Sequence, residues 1–490
     1  MSDRHLFLAL DLGAESGRAE LVTLAGGKVS MEEIHRWPNR PVRMAGTLHW
    51  DAPYLLGEIY AGLKIAAARG AAIEGISVDT WGVDFGLLGA DGRLLGNPVH
   101  YRDSRTDKIH EYSNRFMSTD RIFELTAYEP WAIASLFQLL AMQRDGWPAL
   151  GAAEAFLNMP DLFHYFLTGV KASEMSIANT SNLMGTDCRW SEEIVNNFNL
   201  PRRLLHRLIP PATVLGPLSA QVRELTALGE VPVVATCGHD TSAAVAAVPG
   251  QGPSWAFLSS GTWSILGALT EAPVTSRRCL ELGFTNEYTI GGWYIARNIL
   301  GLWLVQELKR KWDTSSDKWD YAKLTALAAE APSGPLIDAS EASLMAPADM
   351  ESALLALLAS TGQAQPSGRG QLVRSVLESL ALEYALRLRT LAELTGRRYE
   401  ALYIVGGGIH NKLLCQFTAN ACGMPVHAGA DQCTALGNAL GQALALGILR
   451  SRDEIRQVMR DSSQMTSYEP REQAAWQDKI ARYDKLKPRR

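Results

Sequence analysis

The chain has 490 residues, 47% hydrophobic and 20% charged, with 47 Lys and Arg against 52 Asp and Glu for a net charge of −5. That length exceeds one ordinary core, so two or more domains are expected. The charge balance leaves no electrostatic footprint for nucleic acid and no polybasic patch for a membrane surface. Six cysteines without metal-ligand or disulfide-framework spacing read as reduced thiols of a cytoplasmic protein.

In chain order, Leu6–Leu10 reads as a first strand rather than the apolar core of a secretory leader. No later apolar run is long enough to span a bilayer. The strand enters the turn Asp11-Leu12-Gly13-Ala14-Glu15-Ser16-Gly17-Arg18, and Ala19–Leu24 then alternates polar and apolar with the period of a strand. The glycines therefore join strand to strand, which excludes a dinucleotide fingerprint, where they open a helix. A helix is expected over Pro53–Arg69 and a strand over Ile76–Val78. Ser77-Val78-Asp79-Thr80-Trp81-Gly82-Val83-Asp84-Phe85 follows, with two carboxylates and a Trp at the strand end. With Tyr101-Arg102-Asp103-Ser104-Arg105-Thr106 it has the polar and aromatic chemistry of a polyol surface. A capped turn over a core Trp and a solvated ion-pair loop are the structural alternatives.

A strand over Val231–Thr236 leads into Cys237-Gly238-His239-Asp240-Thr241-Ser242, with a small-residue helix from Thr241. Asp240 stands at the carboxyl end of a strand, where open α/β sheets place active groups. A helix N-cap is the alternative. The Pro/Gly-rich break Val248–Pro253 halves the chain. Trp255–Leu258 then runs into Ser259-Ser260-Gly261-Thr262-Trp263, a second strand–turn–strand that echoes the first. An amphipathic helix over 371–395, a strand–glycine–helix turn at Leu402–Gly408 and Asn411–Cys422, and close helix packing at Thr434–Gly441 follow. Residues 472–490 read as a terminal helix that frays. The implied domains are 1–248, 249–470 and a tail at 471–490.

Two glycine–serine hairpins suit two related lobes facing one polyphosphate, because successive backbone N–H groups form anion-binding nests and glycine allows positive φ and close approach. Asp11 beside the first turn makes sense if a divalent cation, Mg²⁺, lies between acid and phosphate. Asp240 has the chemistry of the base that aims an alcohol at a γ-phosphorus.

The two hairpins, His239-Asp240, the glycine turn and Met159–Gly169 resemble the FGGY carbohydrate kinases over Leu6 to about Gly447. The resemblance implies an α/β fold of two lobes, each with the duplicated ribonuclease-H-like core shared with actin and hexokinase, around a central cleft. It implies ATP as co-substrate, with Ala14, Glu15, Ser16, Gly17, Arg18, Thr262, Gln306 and Gly407 contacting it. Gly82, His239, Asp240, Thr241 and Asn298 would contact a ketose, Asp240 as base. The strings DLGAESGR, DTWGVDF, YRDSRT, HDTSAA, LSSGTWS and RNILGLWLVQE are most similar to the branch that phosphorylates L-rhamnulose at O1. A sister kinase for L-fuculose or another ketose, and an actin-like ATPase switch, are the competing readings. A monomer or small homo-oligomer is expected.

Overall fold

A computed structural model describes residues 4–70, 72–315 and 317–487. The chain forms two compact units. The first holds Met1–Val248, Thr270–Ile295 and Cys433–Ser462; the second holds Pro249–Leu269, Ala296–Gln432 and Ser463–Arg490.

In the first unit, Arg4–Leu12, Ser16–Ala25 and Lys28–Pro38 form an antiparallel meander. Gly75–Thr80 pairs parallel with the first strand, and Pro232–Ala235 pairs parallel with Gly75–Thr80. Phe7–Leu10 is buried throughout, as expected of a strand covered on both faces. Lys28–Pro38, at the sheet edge, instead carries Lys28, Glu32, Glu33 and Arg36, charges that discourage edge-to-edge pairing. The helix Ala52–Ala68 starts where the Asp51 side chain accepts from the Tyr54 N–H, with Pro53 in its first turn, and it buries Leu55, Ile59, Leu63 and Ala66. Those residues join the core formed by Leu8, Leu10, Ile76 and Val78. Each of the buried Leu, Ile and Val side chains contributes roughly 1.5–3 kcal/mol through burial.

The segment Met159–Gly169 forms the helix Met159–Thr168, ended by Gly169 at φ 82°. It supports the strand before the site, since the Val78 N–H donates to His164 Nε2 at 3.1 Å. Burial pulls the His164 pKa down to about 3, which keeps that nitrogen an acceptor.

In the second unit, Trp255–Ser260 and Trp263–Thr270 make the hairpin. Ala401–Val405 pairs parallel with its first strand, Val426–Ala428 pairs parallel beyond that, and Thr466–Tyr468 closes the edge antiparallel. A hairpin whose first strand is flanked by parallel strands is the arrangement of the first unit repeated. The long helix spans Arg369–Thr395. One expectation needs correcting: the terminal helix, Gln473–Asp484, is docked, not frayed. It buries Trp476, Ile480 and Tyr483, and the Tyr483 hydroxyl donates to Glu383 at 3.0 Å. Residues 488–490 of the expected tail lie outside the described residues. Among the described residues no helix is long and apolar enough to cross a membrane.

Candidate active site

The first turn is tight: the Gly13 N–H donates to Ser16 O at 3.0 Å, and the Asn39 side chain donates to Gly13 O at 2.9 Å. Ala14, Glu15 and Ser16 sit at its tip, with Glu15 exposed. Neither Gly13 nor Gly17 takes a positive φ, and nor does Gly261 in the second hairpin. For Gly17 the conformational reason is replaced by a spatial one, whereas a Cβ on Gly261 would make only an ordinary contact. A Cβ on Gly17 would fall 2.3 Å from the Trp37 ring.

Asp11 and Arg18 face each other across the hairpin, and Arg18 Nη2 lies 2.5 Å from Asp11 Oδ2. On its other side Arg18 approaches the buried Glu20 at 3.6 Å. Asp11 is also in register with Asp79 on the parallel strand. Burial raises the pKa of both acids; the Asp240 charge pushes Asp11 up further against the Arg18 guanidinium, and the charges of Asp11 and Asp240 push Asp79 up. Asp79 Oδ2 accepts from Asn438 Nδ2 at 2.6 Å, while Asp79 Oδ1 is buried without a hydrogen-bond partner. Gln442 Nε2 holds Asn438 by donating to its Oδ1 at 2.8 Å and ties it to the first strand through Leu8 O.

The helix carrying Asn438, Cys433–Ala445, is the small-residue segment. It packs as closely as the spacing predicts: a Cβ on Gly437 would fall 2.0 Å from Ala243 O. The Asn438 contact with the Asp79 carboxylate goes beyond that packing role. The orphaned Asp79 oxygen beside Asp11 is a buried acceptor that a hard divalent cation held by Asp11 would satisfy. Among the described residues no group of three or more His, Cys, Asp or Glu is arranged to hold a metal ion by itself.

After the strand Gly75–Thr80 the chain makes a three-residue turn, with the Asp84 N–H donating to Gly82 O at 2.9 Å and Val83 at φ 69°. A β-branched residue there is strained. Thr180 Oγ1 accepts from Val83 N–H, and Ser135 Oγ donates to Val83 O. Strain held in place by its surroundings is characteristic of functional sites. Asp84 is turned inward rather than offered to a ligand. It accepts from Trp50 and Trp81 Nε1, Gln138 Nε2 and Tyr101 N–H at 2.6, 3.0, 2.9 and 3.2 Å. Burial pushes its pKa up to about 6 against those donors. Asp103 likewise serves the loop itself, accepting from the Leu48 and Arg105 N–H groups. Asp84 and Asp103, one from each of these two strings, are thus buttresses of their own loops rather than groups offered to a ligand.

Gly82 lies against His239: a Cβ there would sit 3.4 Å from His239 Nε2. The helix Asp240–Ala246 begins at Asp240, with His239 preceding it in the capping position. The cap reading of Asp240 therefore does not describe it. Thr241 N–H and Thr241 Oγ1 donate to Asp240 Oδ1 at 2.6 and 3.2 Å, and His239 Nε2 lies 3.5 Å from the same oxygen. The Asp240 side chain is 31% exposed. Burial raises its pKa, and His239 offsets part of that.

Two glutamates with no motif behind them organise this corner. Glu174 accepts from the Gly238 N–H at 2.8 Å and from Ser176 N–H at 2.7 Å. A Cβ on Gly238 would sit 2.9 Å from Pro160, which explains that glycine. Glu287 Oε2 lies 2.8 Å from His239 Nδ1.

In the second unit, Thr262 sits at the hairpin tip. Its carbonyl accepts from Trp303 N–H at 3.0 Å, and Gly261 O accepts from Leu302 N–H at 2.9 Å. The helix Trp303–Trp312 thus starts against the tip, with Gln306 in its first turns. Gln306 lines an open groove of about 450 Å³ with Trp303, Arg310 and Tyr321. The glycine turn lies on the end of the hairpin's first strand. A Cβ on Gly408 would fall 2.0 Å from Ser260 Oγ, whereas one on Gly407 would meet nothing within 4 Å. Gly407 therefore keeps open space above it. Asn298 is exposed on the strand Gly292–Leu300. The expected residues therefore gather as Asp11 with Ala14–Arg18, as Gly82 with His239, Asp240 and Thr241, and in the second unit as Thr262 near Gln306. Gly407 and Asn298 lie on other elements of that unit.

A strand-end acid beside a histidine, paired with duplicated phosphate-type hairpins, defines a phosphoryl-transfer class, and sequence profiles agree. That of the FGGY carbohydrate kinase N-terminal domain matches residues 6–247, and that of the C-terminal domain matches 256–446. The chain belongs to the FGGY family of carbohydrate kinases. It is similar to the rhamnulokinase of Bacteroides thetaiotaomicron, 40% identical over 96% of this chain and 97% of that one. It is also similar to the rhamnulokinase of Enterococcus faecalis, 34% identical over 94% and 93%. The fold matches a xylulose kinase from Lactobacillus acidophilus with a TM-score of 0.82 at 16% identity, over 98% of this chain and 97% of that one. It matches Plasmodium falciparum glycerol kinase with ADP at 0.80 and 16%, over 98% and 97%.

Proposed function

We propose that the protein transfers the γ-phosphoryl group of ATP to O1 of L-rhamnulose, giving L-rhamnulose 1-phosphate and ADP. The observation that carries the chemistry is Asp240: the contacts from Thr241 and His239 fall on Oδ1, which leaves Oδ2 for the acceptor hydroxyl. The choice of sugar is supported by similarity to rhamnulokinases along nearly the whole chain.

The ketose O1 hydroxyl gives its proton to Asp240 Oδ2 as the O1–phosphorus bond forms. The bond from the γ-phosphorus to its bridging oxygen breaks, and that electron pair leaves on ADP. Gly82, His239, Thr241 and Asn298 bind the sugar. Ala14, Glu15, Ser16, Gly17, Arg18, Thr262, Gln306 and Gly407 bind ATP, with the open space over Gly407 and the aromatic groove beside Gln306 suited to its nucleoside. Asp11 would hold Mg²⁺, which would neutralise phosphate charge when bound. Residues 1–248 would form the sugar lobe and 249–470 the nucleotide lobe of a cytoplasmic enzyme.

Coupled ADP-release assays over matched ketoses test the substrate. A site built around particular hydroxyls leaves a buried group unpaired when an epimer binds, at about 1–3 kcal/mol per group. L-Rhamnulose should therefore exceed L-fuculose in kcat/KM by about tenfold or more, at about 1.4 kcal/mol per decade. Equal efficiency on L-fuculose, or preference for glycerol or a pentulose, would replace the sugar and leave the kinase standing.

A further inference from the structure

The segment Thr270–Ile295 brings an unassigned buried network to the histidine of the site. Glu287, 5% exposed, lies on the strand Thr285–Thr289 with Oε2 at 2.8 Å from His239 Nδ1. The Tyr294 hydroxyl, wholly buried, donates to the same oxygen at 2.6 Å. Ser242 Oγ lies 3.2 Å from the Tyr294 hydroxyl and 3.5 Å from His239 Nδ1. The other ring nitrogen, Nε2, looks the opposite way, towards Asp240 and Gly82.

We propose that Glu287 is the positioning residue of the sugar site: by holding His239 at Nδ1 it aims a protonated Nε2 at the bound ketose beside Asp240. The proposal rests on the assignment of His239 and Asp240 to the ketose site. The two ring nitrogens are then divided between tasks, since a carboxylate at Nδ1 fixes the ring orientation and favours the doubly protonated ring, in which Nε2–H is also a donor. A ketose oxygen at Nε2 receives that hydrogen bond, and the positive ring keeps the adjacent Asp240 ionised to accept the O1 proton.

The charged groups facing the ring are Glu287 on its strand, Asp240 on the same helix and Glu174 before the helix Met175–Asn179. Burial alone would lower the pKa of His239. Glu287 first, then Asp240 and Glu174, outweigh it and hold the ring protonated up to about pH 9. A histidine raised in this way stabilises the fold fully below its unfolded pKa of about 6.5, and that contribution is lost as pH rises through the folded value.

The test is Glu287→Gln, which keeps the shape and removes the charge. The expected result is a rise of about tenfold or more in the KM for L-rhamnulose, with the KM for ATP within about twofold, as for loss of a charge-assisted contact to one substrate only. In ¹H–¹⁵N spectra, with the ring assigned through His239→Gln, the His239 titration should move down by about one pH unit or more, and the alkaline limb of kcat/KM with it. A folded Glu287→Gln with wild-type ketose KM and unmoved titration overturns the proposal. Should that variant not fold, Glu287→Asp, a methylene short of the ring, must raise the ketose KM selectively; a wild-type KM there overturns it equally. If instead His239→Gln leaves the ketose KM unchanged, the site assignment itself falls.

Discussion

Asp240→Asn should lower kcat by about a hundredfold or more, the usual scale for loss of a general base, which corresponds to about 2.7 kcal/mol in the barrier. The fold should not suffer, because an Asn oxygen at the Oδ1 position can still accept from Thr241 N–H and Thr241 Oγ1. The KM for ATP should change little, since Asp240 faces the acceptor. The acid side of the wild-type profile should reflect a carboxyl titrating above the ordinary Asp value of about 3.9, because burial raises it and His239 only partly compensates. Steady-state kinetics on the purified variant check this. A near-wild-type kcat would reduce Asp240 to a residue that merely steadies Thr241.

Asp11→Ala carries the second large expectation. Removing the carboxylate in register with Asp79 takes away the acid best placed to hold a cation against the first turn. A metal's charge stabilisation is worth several kcal/mol, so activity should fall by about two orders of magnitude or more. The Mg²⁺ concentration for half-maximal rate should rise. Arg18 would keep only its 3.6 Å approach to Glu20, so thermal unfolding of the variant must be measured alongside. A folded variant with an unchanged Mg²⁺ titration would remove the role.

What could be read from the sequence follows from the range of the interactions. The two hairpins were legible because the alternation in Ala19–Leu24 and the Ser/Gly/Thr turn after Trp255–Leu258 are local. The turn at Gly406–Gly408 and the helix over 369–395 were legible for the same reason. The terminal helix was misread as frayed because its mixed charges hide Trp476, Ile480 and Tyr483, although their spacing of four and three is helical. Glu174, Glu287 and Asn438 were not legible as site residues. Glu174 meets Gly238 from 64 positions away and Asn438 meets Asp79 from 359 away, and no local pattern encodes such a partner. The only local signal for Glu287 is an acid within a buried strand, Thr285–Thr289, where an unpaired charge would be costly. Asp84 was legible as important but not as inward-facing, because its four donors come from Trp50, Trp81, Tyr101 and Gln138 on separate segments.

The central claim is transfer of the ATP γ-phosphoryl to O1 of a ketose through Asp240, and the position of phosphate on the product tests it most directly. The protein is incubated with ATP, Mg²⁺ and L-rhamnulose, and the product is examined by ³¹P and ¹³C NMR. The account predicts one phosphomonoester, coupled to C1 and its two protons, formed in step with ADP and formed about a hundredfold or more slowly by Asp240→Asn. Phosphate on another carbon, or ADP released with inorganic phosphate and no sugar ester, would contradict it.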